Sequence, residues 1–225
     1  MKHKNKYYLR ELVTASLVFL FSLNLPALSQ DDRPETQYLF SRFAKAEVLK
    51  KSGQKLETMM NYNCLTEEMI FVQNGRRMAL ANLVSIDTVY LQDRVFIPFE
   101  NNFVELAVIG KADLFIQHRS KAKIQGEIVG YGGTSQLSNV KTVSSLRDNG
   151  QYFYMDMPEN IEVKYEPLAY IRLGDKIKNF YNRRTLAKIL PELKDDIKIY
   201  FKENKPDLEN RSDLIELVAF INSKL

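Results

Sequence analysis

From about residue 43 to residue 109 the chain never sustains an amphipathic helical period. It runs instead in short strand-length segments broken by turn residues. Segments 44–49, 55–62, 68–72, 78–81, 86–91, 94–99 and 103–109 fit this description. Ser52-Gly53 and Asn74-Gly75 separate the earliest of them. Asn-Gly between two apolar runs is a strong signal for a two-residue hairpin. Segment 113–129 reads as a longer hairpin or bent strand pair, with Leu114 and Ile116 on one face and Arg119, Lys121 and Lys123 on the other. That alternation predicts a sheet with one face in water. Further strands are expected at 152–157 and 161–165, and two more between 170 and 180, divided near Gly174-Asp175.

The period changes in the last forty-odd residues. Thr185 is expected to cap a short helix through Leu190, and Pro191 suits the first position of a second helix running to about Glu203. In that second helix Leu193, Ile197, Tyr200 and Phe201 share a face. Ser212 is the expected N-cap of a last helix that turns Leu214, Leu217, Val218, Ile221 and Leu225 inward. The fold class is therefore α+β: a β-rich antiparallel meander, roll or sandwich (residues 43–183) followed by a small C-terminal helical unit (184–225).

The N-terminus carries an export pattern. Lys2, Lys4, Lys6 and Arg10 precede a short apolar stretch, Pro26 ends it, and Ala27-Leu28-Ser29 places small residues where signal peptidase reads them. Residues 1–29 are read as a removable signal peptide and 30–42 as a polar leader. The apolar stretch is shorter than the roughly 20 residues a membrane span needs and is diluted by Thr14, Ser16, Ser22 and Asn24, so no transmembrane segment is expected to be retained. Cleavage also changes the charge. The whole chain has 32 basic and 28 acidic residues; loss of four basic groups and one acidic group leaves 28 against 27. At that near-neutral balance nothing favours nucleic acid as a partner. The expected location is periplasmic or secreted.

Few residues announce chemistry. Cys64 is the only cysteine, which excludes an internal disulfide, and it reads as a small buried hydrophobe. His118 is the only histidine after residue 29 and, beside Arg119, reads as a surface strand residue. No phosphate loop, dinucleotide-binding glycine pattern, nucleophile elbow or zinc-protease motif occurs, so neither a metal nor a cofactor is expected. Ser-x-x-Lys at Ser120/Lys123 and Ser138/Lys141 falls in strand or loop sequence, away from the helix start where serine acylases use it. Glu67 and Glu68 are adjacent, hence on opposite faces of a strand. Glu192, Asp195 and Asp196 offset a helix dipole. Asp87-Thr88-Val89 has the form of a short O-glycosylation site. The most distinctive string is Tyr131, Gly132, Gly133, Thr134, Ser135, Gln136. Its glycines permit a tight turn, Thr, Ser and Gln offer hydrogen bonds, and Tyr131 offers a stacking face, so these six residues are the expected ligand-binding loop. A hairpin loop whose glycines serve geometry alone accounts for the same string.

The segments Asn61-Tyr62-Asn63-Cys64-Leu65-Thr66-Glu67-Glu68-Met69, Asn74-Gly75, Ile86-Asp87-Thr88-Val89, the 131–136 loop, and the tail through Leu190-Pro191, Lys202-Glu203-Asn204-Lys205 and Asp213-Leu214 resemble an uncharacterised family of exported proteins of Bacteroidetes-type bacteria. The resemblance implies a source and a compartment. It brings no activity and no site residues, because that family has none assigned. Two functions stay open on the sequence. One is a non-enzymatic envelope module that binds a polar ligand or another envelope protein, neither identified. The other is a hydrolase of envelope polysaccharide or peptide whose groups converge only in three dimensions.

Overall fold

The computed structural model describes residues 37–124, 128–129, 133–134 and 161–225. The expected signal peptide, residues 30–36 of the leader, the 152–157 strand and the Ser138/Lys141 pair lie outside the described residues. The strands are β1 (Ala44–Lys50), β2 (Lys55–Asn63), β3 (Glu68–Gln73), β4 (Arg76–Ala79), β5 (Ile86–Leu91), β6 (Arg94–Phe99), β7 (Asn102–Val108), β8 (Ala112–Gln117), β9 (Ser120–Ile124), β10 (Ile128–Val129), β11 (Gly133–Thr134), β12 (Ile161–Tyr165), β13 (Leu168–Leu173) and β14 (Lys176–Phe180). Ten of them form one antiparallel sheet in the order β14-β13-β8-β7-β6-β5-β1-β2-β3-β4; β9 pairs with β12, and β10 with β11. The fold is α+β, a mostly antiparallel sheet followed by a small helical unit. Between β3 and β4, Asn74 and Gly75 both take positive φ (52° and 72°), as a two-residue hairpin of matching twist requires.

The sheet curls. Four strand spacings separate β2 from β7, about 19 Å in a flat sheet. Yet the Tyr62 hydroxyl of β2 donates to the Phe103 carbonyl of β7 at 3.1 Å. The Ser120 N–H, at the start of β9, donates to the Cys64 carbonyl at 2.7 Å, closing the curl near the end of β8. Register shows how one face serves two cores. Val48, Val89, Phe96, Glu105, Ile116, Ala169 and Phe180 stand opposite one another across successive strands and so share a face. Toward β1 and β2 this face folds on itself around Tyr62, Met60, Met69 and Phe96. Toward β8, β13 and β14 it is covered by helices.

Those helices are α1 (Arg183–Ile189), α2 (Lys194–Asn204) and α3 (Arg211–Lys224). Leu186, Ile197, Leu214, Leu217, Val218 and Ile221 pack against Leu114, Ile116 and Ile171. At about 1.5–3 kcal/mol for each fully buried aliphatic side chain, this burial dominates the stability of the helical unit. The helix starts differ slightly from expectation. Asn182 caps α1, and Thr185 is its capping-box partner three positions inside. Asn210, not Ser212, caps α3 and accepts from Ser212 and Asp213 N–H groups. Pro191–Leu193 forms a 3-10 turn leading into α2. Asn222 of α3 accepts from Ala112 N–H and donates to Ala112 C=O, both at 2.8 Å, tying the helix to the start of β8.

Segment 113–129 departs from expectation. β8 does not pair with β9; it lies between β7 and β13, whereas β9 leaves the sheet to pair with β12. Nor does β8 have a wet face. Leu114 and Ile116 meet the helices, while Asp113 and Phe115 are buried on the opposite face. There Arg172 bonds Asp113 and lies 5.1 Å over the Phe115 ring. No helix among the described residues is long and apolar enough to cross a membrane.

Candidate functional site

Where the two cores meet on the shared face, the row of apolar residues is interrupted by Glu105. Its side chain is fully buried, and four donor atoms surround it. Arg211, the first residue of α3, reaches Oε1 with Nε at 2.7 Å and Nη2 at 2.5 Å. Arg94, the first residue of β6, reaches Oε2 with Nη1 at 3.3 Å. His118, in the bend between β8 and β9, places Nε2 2.7 Å from Oε2. Its Nδ1 lies 2.5 Å from the hydroxyl of Tyr165, the last residue of β12. Tyr62 and Phe96 pack edge-on and tilted against the imidazole, and Tyr165 stacks on it.

The electrostatics follow from that cage. Burial alone pushes the Glu105 carboxyl up, but hydrogen bonds from His118 and Arg211 and the charge of Arg94 outweigh it, holding the group below its ordinary range and ionised. Burial pulls His118 down against the opposing pull of Glu105, so the imidazole is neutral. A neutral imidazole beside a carboxylate must carry its proton on Nε2, which leaves Nδ1 as an acceptor for the Tyr165 hydroxyl. Burial pushes Tyr165 above its ordinary value and keeps it a phenol.

Above this cage opens a cavity of about 340 Å3, lined by Tyr38, Leu39, Cys64, Arg94, Ser120, Val163, Tyr165 and Arg211. That volume is at the small end of ligand pockets. Among the described residues the lining holds two guanidiniums and no carboxylate; the balancing Glu105 lies beneath. With His118 neutral, Arg94 and Arg211 share one buried negative charge, Glu105; Asp93 also acts on Arg211, less strongly than Glu105 does. Arg94 Nε is buried with no hydrogen-bond partner among the described residues. No family model, curated protein or solved structure matches this chain.

None of the described residues that line the cavity belongs to the sequence-derived loop. Of the loop 131–136, only the backbone of Gly133 and Thr134 is described, in the β10–β11 hairpin; Tyr131, Gly132, Ser135 and Gln136 lie outside the described residues. His118 is not the surface residue expected from its neighbour Arg119. It is 1% exposed, because the bend after β8 turns it toward the seam between the cores. Cys64 is buried as expected, and burial pushes its thiol up to about 12. Thr88, of the Asp-Thr-Val string, is also buried, with its hydroxyl on Asp87. Glu105, Arg94 and Arg211 carried no motif. One trace was available for Glu105: a single carboxylate at an inward position of the apolar strand Phe103-Val104-Glu105-Leu106-Ala107-Val108.

Proposed function

We propose that the protein is exported to the periplasm or cell exterior and acts there as a non-enzymatic binding module for a small organic anion held in the Arg94–Arg211–Tyr165 cavity. The observation that carries this reading is the pair of guanidiniums lining one cavity while sharing a single buried carboxylate. Desolvating two cations is costly, and a single buried counter-charge shared between them, with only a weaker pull on Arg211 from Asp93, leaves the pair incompletely offset. An anionic group entering the cavity would complete the balance through charge-assisted hydrogen bonds. The export pattern and the resemblance to exported Bacteroidetes-type proteins support the compartment.

The rival hydrolase reading has one point in its favour: carboxylate, imidazole and hydroxyl stand in the order of a nucleophile relay. The electrostatics oppose it. A base must accept a proton, and burial together with two flanking guanidiniums holds His118 below its ordinary basicity. The chain Glu105–His118–Tyr165 fixes the hydroxyl rather than ionising it.

Val163 lines the cavity and carries no polar group, so Val163→Phe fills the space without removing a charge. Isothermal titration with cyclohexanecarboxylate and other small carboxylates is expected to show saturable binding to the wild type and none to this variant. Equal binding by both would move the ligand site away from the cavity; Tyr131→Ala and Gln136→Ala would then test the 131–136 loop.

A further inference from the structure

The cage also limits which anions suit the cavity, on the reading that the cavity is a binding site. A carboxylate has about four lone-pair positions. Hydrogen bonds from Arg211 Nε, Arg94 Nη1 and His118 Nε2 take three of them on Glu105, and Arg211 Nη2 lies 2.5 Å from Oε1, so both oxygens are already engaged by the cage. Glu105 uses only part of each guanidinium. Each has five N–H donors. Arg94 Nη2 and Arg211 Nη1 are not among the atoms that hold Glu105. These donors suit an anion.

Tyr165 is the opposite case. Its one proton goes to His118 Nδ1, because the other ring nitrogen is committed to Glu105. Tyr165 lines the cavity, and with its proton on His118 its phenolic oxygen can act there only as an acceptor. An acceptor-only ligand, such as a bare aliphatic carboxylate, matches the guanidiniums and leaves this oxygen facing nothing that can donate. A neutral sugar offers donors but no charge. Leu39 and Val163 add an apolar wall suited to the C–H face of a ring.

We infer that the cavity takes a sugar acid: a ring carboxylate whose charge lies on Arg94 and Arg211 and whose hydroxyl donates to the Tyr165 oxygen.

Three probes separate the contributions: D-glucuronate (charge and hydroxyls), D-glucose (hydroxyls only) and cyclohexanecarboxylate (charge only). Isothermal titration at low ionic strength is expected to show glucuronate binding about tenfold more tightly than either other probe, the worth of about one hydrogen bond. In Tyr165→Phe the preference for glucuronate over cyclohexanecarboxylate is expected to vanish while cyclohexanecarboxylate binding persists. A retained melting transition shows that this variant folds, and Val163→Phe, which removes no charge, is expected to bind none of the probes. If cyclohexanecarboxylate binds the wild type as tightly as glucuronate, the sugar-acid inference falls and the anion-binding reading stands. The same holds if Tyr165→Phe keeps the full preference. If no probe binds the wild type, both fall.

Discussion

Replacing Glu105 by glutamine isolates the charge at the seam. Glutamine nearly matches the carboxylate in volume, but it offers one carbonyl oxygen to four donor atoms and turns an NH2 group toward N–H groups of the cage. Removing one partner of a buried ion pair costs about 3–5 kcal/mol. Arg94 and Arg211 keep 20% and 28% of their side-chain exposure, so both recover some water once the charge is gone. The expected loss is therefore at the lower end, about 3 kcal/mol. For a domain of this size each kcal/mol shifts the melting temperature by about 2–4 °C, giving a drop of about 6–12 °C. Reversible urea denaturation followed by circular dichroism measures the free energy directly. A double-mutant cycle with Arg211→Met shows whether the charges act together, since the arginine is harmful only while the carboxylate that balances it is missing. A loss below about 1 kcal/mol for Glu105→Gln, or additivity within about 0.5 kcal/mol in the cycle, would refute the view that this carboxylate holds the cage together.

Three further outcomes are expected. His118 and Glu105 both have folded-state values below their ordinary 6.5 and 4.5, so the unfolded chain takes up protons first as pH falls; stability is full above about pH 6.5, declines as His118 titrates in the unfolded chain, and declines more steeply below 4.5. Urea midpoints at successive pH values test this, and His118→Gln should flatten the curve between 6.5 and 4.5; an unaltered slope there would exclude His118 as the source. Cys64 should react with a thiol-disulfide reagent at pH 8 orders of magnitude more slowly in the folded than in the unfolded protein, because burial holds its thiol near 12; comparable rates would contradict that. Truncation after Asn210 removes Leu214, Leu217, Val218 and Ile221, whose burial contributes roughly 6–12 kcal/mol, comparable with the net stability of a whole domain. Loss of the cooperative transition is expected, and a melting curve equal to the full chain's would show that α3 is dispensable.

What the sequence could and could not reveal divides along physical lines. Local signals carried the strands and turns: Asn74-Gly75 forms its hairpin, and Gly174-Asp175 divides β13 from β14 because turn chemistry is set by adjacent residues. Amphipathic spacing carried the inward face of α3. The helix starts were displaced by two or three positions because Asn182 and Asn210, each just upstream, compete with Thr185 and Ser212 for the same role. The cage was not legible. Glu105, His118, Arg94, Tyr165 and Arg211 come from five separate elements, and they converge only because the sheet curls and α3 packs back onto β8. His118 looked exposed because a strand flanked by Arg and Lys alternates with solvent in a simple hairpin, whereas here the chain bends and changes partner after Gln117. Curvature and strand order are global properties that no window of sequence contains.

The two outermost strands of the sheet are also alike in charge. Among the described residues, one margin is β4, with exposed Arg76 and with Arg77 lying over the Tyr38 and Phe43 rings; the other is β14, with exposed Lys176 and Lys178. Outermost strands offer unpaired backbone groups to any other chain, and sheets left open in this way recruit copies of themselves. Joining either margin to itself or to the other brings these basic strands together, and in registers that oppose the like charges directly, pairing is disfavoured. Among the described residues, the charge at both margins of the curled sheet works against growth into a fibre.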